Sequence, residues 1–137
     1  MDIEGVWIDH TGRGAVRIAR CGDRMCGHIF WLRTPNDERG RPLRDIRNPD
    51  ESKRRNQICG TQILGDLTPV GRTGIGTVWG RGWIYNPEDG KRYNAEVKLQ
   101  SPNDLSVMGY LGFRFLNETH IWRRAPTTVA QCQQSGA

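Results

Sequence analysis

Long apolar runs are missing from this chain. No stretch approaches the ~18 consecutive apolar residues of a membrane-crossing helix, so no transmembrane segment is expected. Paired metal-ligand spacings are missing as well. Cys21 and Cys26 form one C-x4-C pair, and no second short-spaced pair follows, which argues against a structural zinc site. Gly71 to Gly80 is rich in glycine but has no lysine where a phosphate loop needs one. None of the three histidines, His10, His28 and His120, stands in a recognisable nucleophile–base arrangement. Glu88 and Asp89 are adjacent in a turn and point apart, which does not suit a pair of acid–base carboxylates. The expectation is therefore a protein that is not an enzyme and carries no cofactor or metal.

What is present points to strands. Hydrophobic residues make up only 36% of the 137 residues, yet there are 17 glycines and five tryptophans. Such a chain favours strands and tight turns over helices. The formal net charge is +5, but Asp and Glu are interleaved among the arginines, so no nucleic-acid partner is expected. Short strand-like segments recur between turn signals: Gly5–Ile8, Ala15–Arg20, Met25–Arg33, Thr61–Leu67, Gly76–Tyr85, Arg92–Leu99, Leu105–Leu111 and Thr119–Arg124. Eight short strands with mostly short connections predict an all-β domain over residues 1–125, a small antiparallel up-and-down barrel. Residues 126–137 are rich in Pro, Thr, Gln and Ser and read as a disordered tail.

Two hairpins suggest a register. A Gly22–Met25 loop would set Cys21 opposite Cys26 and Val16 opposite Trp31, with Val16, Ile18, Ile29 and Trp31 facing inward. Directly opposed cysteines lie within disulfide range, so a Cys21–Cys26 bond is expected in an oxidising compartment. Asn86-Pro87-Glu88-Asp89-Gly90 is a dense turn signal. A five-residue loop there would oppose Tyr85 with Lys91 and Trp83 with Tyr93. Trp79, Trp83, Tyr85 and Tyr93 would then point inward beside Trp31. These five rings are the candidate ligand-binding residues; the bland reading is that they fill the barrel. Between Thr34 and Cys59 a long loop with Pro35, Pro42 and Pro49 breaks the rhythm. It reads either as solvated surface or as a lid, with a short helix over roughly Pro49 to Arg55.

The residues also carry a resemblance. Gly5-Val6-Trp7, Val16-Arg17-Ile18, Cys21-Gly22-Asp23, Cys26-Gly27 and Trp31-Leu32 are similar to a bacterial family, domain of unknown function 2147. So are Asn48-Pro49-Asp50, Ile63-Leu64, Trp79, Gly82, Ile84-Tyr85, Pro87, Asp89-Gly90-Lys91, Tyr93, Leu105, Gly109-Tyr110 and Trp122. The resemblance covers roughly residues 4 to 124. It implies a lipocalin-like (calycin-like) β-barrel and an exported protein, so the expected setting is periplasmic or secreted, with the leader removed from this chain. The wider lipocalin pattern implies that Trp7 packs at the closed end beneath an arginine of the last strand, Arg123 or Arg124. Neither Cys59 nor Cys132 receives a role. Two functions follow as expectations: a cell-envelope protein binding a small apolar ligand, or a structural interaction module with a solid core. In the second, the basic loop from Arg39 to Arg55 and Phe30 would form the contact.

Overall fold

A computed structural model describes residues 2–114 and 117–133. Eight strands form in chain order: β1 (Gly5–Ile8), β2 (Gly14–Cys21), β3 (Arg24–Leu32), β4 (Gln62–Thr73), β5 (Gly76–Asn86), β6 (Lys91–Ser101), β7 (Asp104–Tyr110) and β8 (Asn117–Arg124). Each pairs antiparallel with the next, and β8 returns to β1, so the sheet closes. Closure removes the exposed edges that an open sheet of this size would present. The long connection after β3 holds one 3-10 turn, Glu51–Lys53, shorter than the expected helix but inside its range. Asp50 caps it by accepting a hydrogen bond from the Ser52 amide at 3.0 Å.

The turns explain where the register departs from the expected one. β2 and β3 are joined through Gly22 and Asp23 alone, with Gly22 at φ 67°. A two-residue turn needs positive φ, which glycine supplies. Cys21 therefore opposes Arg24, and Cys26 opposes Ala19. This is a slip of two residues, so Val16 and Ile18 still face inward. Cys21 and Cys26 become diagonal neighbours with Cα atoms 6.0 Å apart, and they are disulfide-bonded. A bulge between Ala15 and Val16 then sets Trp31 opposite Ala15, out of the inward series.

The β5–β6 hairpin differs by a single residue. Its loop is Pro87–Gly90, so Asn86 opposes Lys91, Tyr85 opposes Arg92 and Trp83 opposes Asn94. A one-residue slip exchanges the two faces. The expected register survives only above a bulge, where Trp79 opposes Val97. The bulge lies at Arg81, whose φ is 57°. Trp79 thus points inward with Val97, whereas Trp83 and Tyr85 share the outer face with Arg92 and Asn94.

Trp7, Ile18, Met25, Leu64, Leu67, Val97 and Leu105 fill the inward face and are completely buried, together with Trp79 and Trp122. At one end Trp7 donates from Nε1 to the Ile3 carbonyl at 2.9 Å. Arg124 lies with its guanidinium 4.2 Å from the Trp7 ring centroid, and it donates to the Pro102 and Glu4 carbonyls. Arg123 does not take this role. It pairs with Ile8 on the outer face and is exposed, because adjacent strand residues point to opposite sides.

Cys59 and Cys132, 73 residues apart, form a second disulfide. The Cys132 amide also donates to the Phe30 carbonyl at 2.7 Å. The expected disordered tail is therefore fastened to the barrel at Cys132, while residues 134–137 lie outside the described residues. A cross-link that closes so long a loop restricts the unfolded chain, typically by about 2–5 kcal/mol. Replacing Cys59→Ser together with Cys132→Ser should lower the unfolding free energy by that amount in a urea titration of oxidised protein. An unchanged midpoint and slope would show that the bond adds no constraint.

Candidate functional site

The outer face of β4, β5 and β6 carries an unusual set of side chains for a solvated sheet surface. Gly65 opposes Trp83 across the β4–β5 ladder. A Cβ on Gly65 would lie 2.4 Å from the Trp83 ring, so the indole lies flat over a position that only glycine permits. On the other side, the Arg92 guanidinium stands 4.1 Å from the Trp83 ring centroid. Trp83 is thereby held between a bare stretch of backbone and a cation, an arrangement worth about 0.5–1 kcal/mol at an exposed position.

The loop of residues 34–60 runs over this surface as a strap. Its two limbs pair with each other: Arg44 bridges to Gln57, and the Asp45 amide donates to the Asn56 carbonyl at 2.8 Å. The strap is anchored to β5 through one buried contact. The Tyr85 hydroxyl donates to Asp45 Oδ1 at 2.7 Å, and Asn48 Nδ2 donates to Asp45 Oδ2 at 2.9 Å. Asp45 is only 2% exposed, and both its oxygens are engaged, as a buried carboxyl group requires. The second anchor is the β5–β6 turn. Arg47 donates to the Glu88 carbonyl, and Gly90, at φ 71°, leaves room for the Arg47 carbonyl, which a Cβ there would meet at 2.0 Å.

Between strap and sheet lies a cleft of about 750 Å³. Trp83, Tyr85, Arg92 and Gln62 line its sheet side, and Arg44, Lys53, Arg55 and Asn56 are among its strap residues. His28 opposes both Gln62 and the exposed Arg17 in the ladder, which puts Gln62 on the outer face too. The cleft is therefore outside the barrel wall, in the size range of small-molecule sites, and its lining is largely polar.

Of the five aromatic residues expected to converge inside, the structure brings Trp83 and Tyr85 together in this external cleft. Trp79 belongs to the packed interior, with its Nε1 buried and without a hydrogen-bond partner among the described residues. Tyr93 opposes Ile84 near the far end of the barrel and donates its hydroxyl to Asp89 at 2.6 Å. Trp31 is half-buried beyond the irregularity in the β2–β3 ladder. His10 and His120 stack with ring centroids 3.6 Å apart, tying the β1–β2 turn to β8. Burial, then the neighbouring His120, lowers the pKa of His10. The sequence placed Lys53 and Arg55 only within the basic Arg39–Arg55 contact loop of the interaction-module reading, and it assigned no site role to Asp45 or Arg92 individually. The proline-rich length of the strap was a visible signal; the position of Arg92 beside Trp83 depended on the register.

A closed eight-stranded antiparallel barrel capped by the Trp7–Arg124 stack defines a lipocalin-like protein. The chain belongs to a family described as an uncharacterized protein conserved in bacteria, domain of unknown function 2147, whose model matches residues 5–124. The fold is similar to that of protein HP1028 from Helicobacter pylori, described as belonging to the lipocalin family. The two share 22% identity over 93% of this chain and 85% of that one, with a TM-score of 0.75. No curated protein matches the sequence.

Burial, then the hydrogen bond to Asp45 and its charge, raises the Tyr85 pKa well above the usual phenol value. A raised folded-state pKa means that the native state keeps its proton where the unfolded chain has lost it. This contribution to stability is complete below about pH 10 and declines as pH rises beyond it. Asp45→Asn should bring the Tyr85 titration down towards the ordinary value in an ultraviolet phenolate titration. An unmoved titration would separate Tyr85 from Asp45.

Proposed function

We propose that this protein is a non-catalytic binding protein of the bacterial cell envelope that holds a small molecule in the strap cleft. The cleft itself carries the proposal: a concavity of about 750 Å³ with a Trp83 platform, roofed by a strap that is locked through Tyr85 and Asp45. Lipocalin-like barrels are suited to ligand binding in general, and this one carries Trp83 and Tyr85 at an external site. A polar lining favours a ligand with polar groups over a purely apolar one. Two disulfides support an oxidising compartment, periplasmic or secreted. Both Asp45 oxygens accept hydrogen bonds from the protein, which supports a positioning role over acid–base work.

A second reading, a structural or interaction module, draws support from the interior, which Trp7, Trp79, Trp122 and Met25 occupy. Native mass spectrometry of protein purified from its source bacterium separates the two. The binding reading expects a retained small molecule that disappears in Trp83→Ala while that variant stays folded, as read by its circular dichroism spectrum. Bare protein, together with no small molecule in a diverse set that raises the melting temperature, would sink it in favour of the interaction module.

A further inference from the structure

Charge in the strap cleft is unevenly committed. The two carboxyl groups on its wall accept hydrogen bonds from the protein, Asp45 from Tyr85 and Asn48 and Asp50 from the amide and hydroxyl of Ser52, both at Oδ1, and they stand against four cations, Arg44, Lys53, Arg55 and Arg92. The cations are arranged differently. Lys53 and Arg55 project from the strap into the lining, and Arg92 projects from β6. Arg92 is the most constrained, because its guanidinium is stacked on Trp83. A guanidinium held over a ring in this way keeps N–H donors that are not directed at the ring. Such donors match the paired oxygens of a carboxylate or phosphate. A concave site lined by cations also concentrates positive potential more than the same charges on a convex surface. Gln62 and Asn56 add neutral amide donors around it.

We propose that the strap cleft selects small molecules with an anionic head group, carboxylate or phosphate, which Arg92 receives from its Trp83 platform while Lys53 and Arg55 supply further positive charge. This rests on the small-molecule reading and names the ligand class for that site. The remainder of such a ligand lies against the Trp83 and Tyr85 side of the cleft.

Isothermal titration at low ionic strength with three probes of one shape tests this: 1-naphthoate, 1-naphthyl phosphate and neutral 1-naphthamide. At least one anionic probe should bind ten-fold or more tightly than the amide, and which of the two does so identifies the head group. Arg92→Gln should remove that preference, bringing the affinity for the anionic probe down to that of the amide. Arg55→Gln should reduce it by a smaller factor. Arg114→Gln, a change in the β7–β8 connection where Arg114 pairs with Glu96 outside the cleft lining, should leave it intact. Equal affinity for all three probes, or a preference that survives Arg92→Gln, overturns the proposal. If the amide binds equally well and Trp83→Ala abolishes all binding, the anionic selectivity fails while the small-molecule reading stands. If none of the probes binds and the protein from its source is also bare, both fail.

Discussion

Arg81 holds a left-handed backbone conformation, with φ 57°, in the middle of β5, and the division of this molecule into core and site follows from it. One extra residue between Trp79 and Gly82 turns the remainder of the strand over relative to β6. Trp79 stays inside with Val97; Trp83 and Tyr85 emerge outside. β4 bends at the same level, where Asp66 also has φ 57°. Non-glycine residues adopt this conformation at a cost of about 1–3 kcal/mol each. Here packing enforces it: a Cβ on Gly82 would strike the Gly65 carbonyl at 2.5 Å and the Leu67 side chain at 2.7 Å.

The strap answers the problem that the bulge creates. Two large aromatic side chains on an outer sheet face would expose apolar surface to water at about 25 cal/mol per Å². Tyr85 is instead covered and hydrogen-bonded to Asp45, and Trp83 is sandwiched between Gly65 and Arg92. A buried hydroxyl or carboxyl group that lost its partner would cost about 1–3 kcal/mol, so Tyr85 and Asp45 hold each other in place. The strap can remain long and polar because a few fixed points define its path. The second disulfide then secures the chain end, bonding Cys132 to Cys59 just before β4 begins.

The architecture was legible in the sequence because strands and turns are written locally. Pro87 to Gly90 announces a turn whatever the rest of the chain does, and the alternation of Leu99, Val97 and Ala95 marks one buried face of β6. The closed-end stack was legible as a pattern, but choosing Arg124 over Arg123 required knowing which side of β8 each faces. The register of β5 was not legible. It depends on how closely Gly82 approaches β4, a contact between segments far apart in sequence. Gly80-Arg81-Gly82 was a hint, since glycine within a strand often marks a bulge. Pairing of Cys59 with Cys132 was equally hidden, because the intervening chain gives no local sign of where the tail returns.

Aromatic residues thus have two uses within one small barrel: some rings fill the interior, and others furnish a platform under an external strap. Whether Trp83 faces out or in decides between this account and a conventional interior pocket. Proton–proton contacts from the Trp83 indole, measured by nuclear Overhauser spectroscopy in solution, read that directly. The account expects contacts from the indole to the Gly65 α-protons and to the Arg92 side chain. Contacts from the same ring to the methyl groups of Val97 and Leu105 would contradict it.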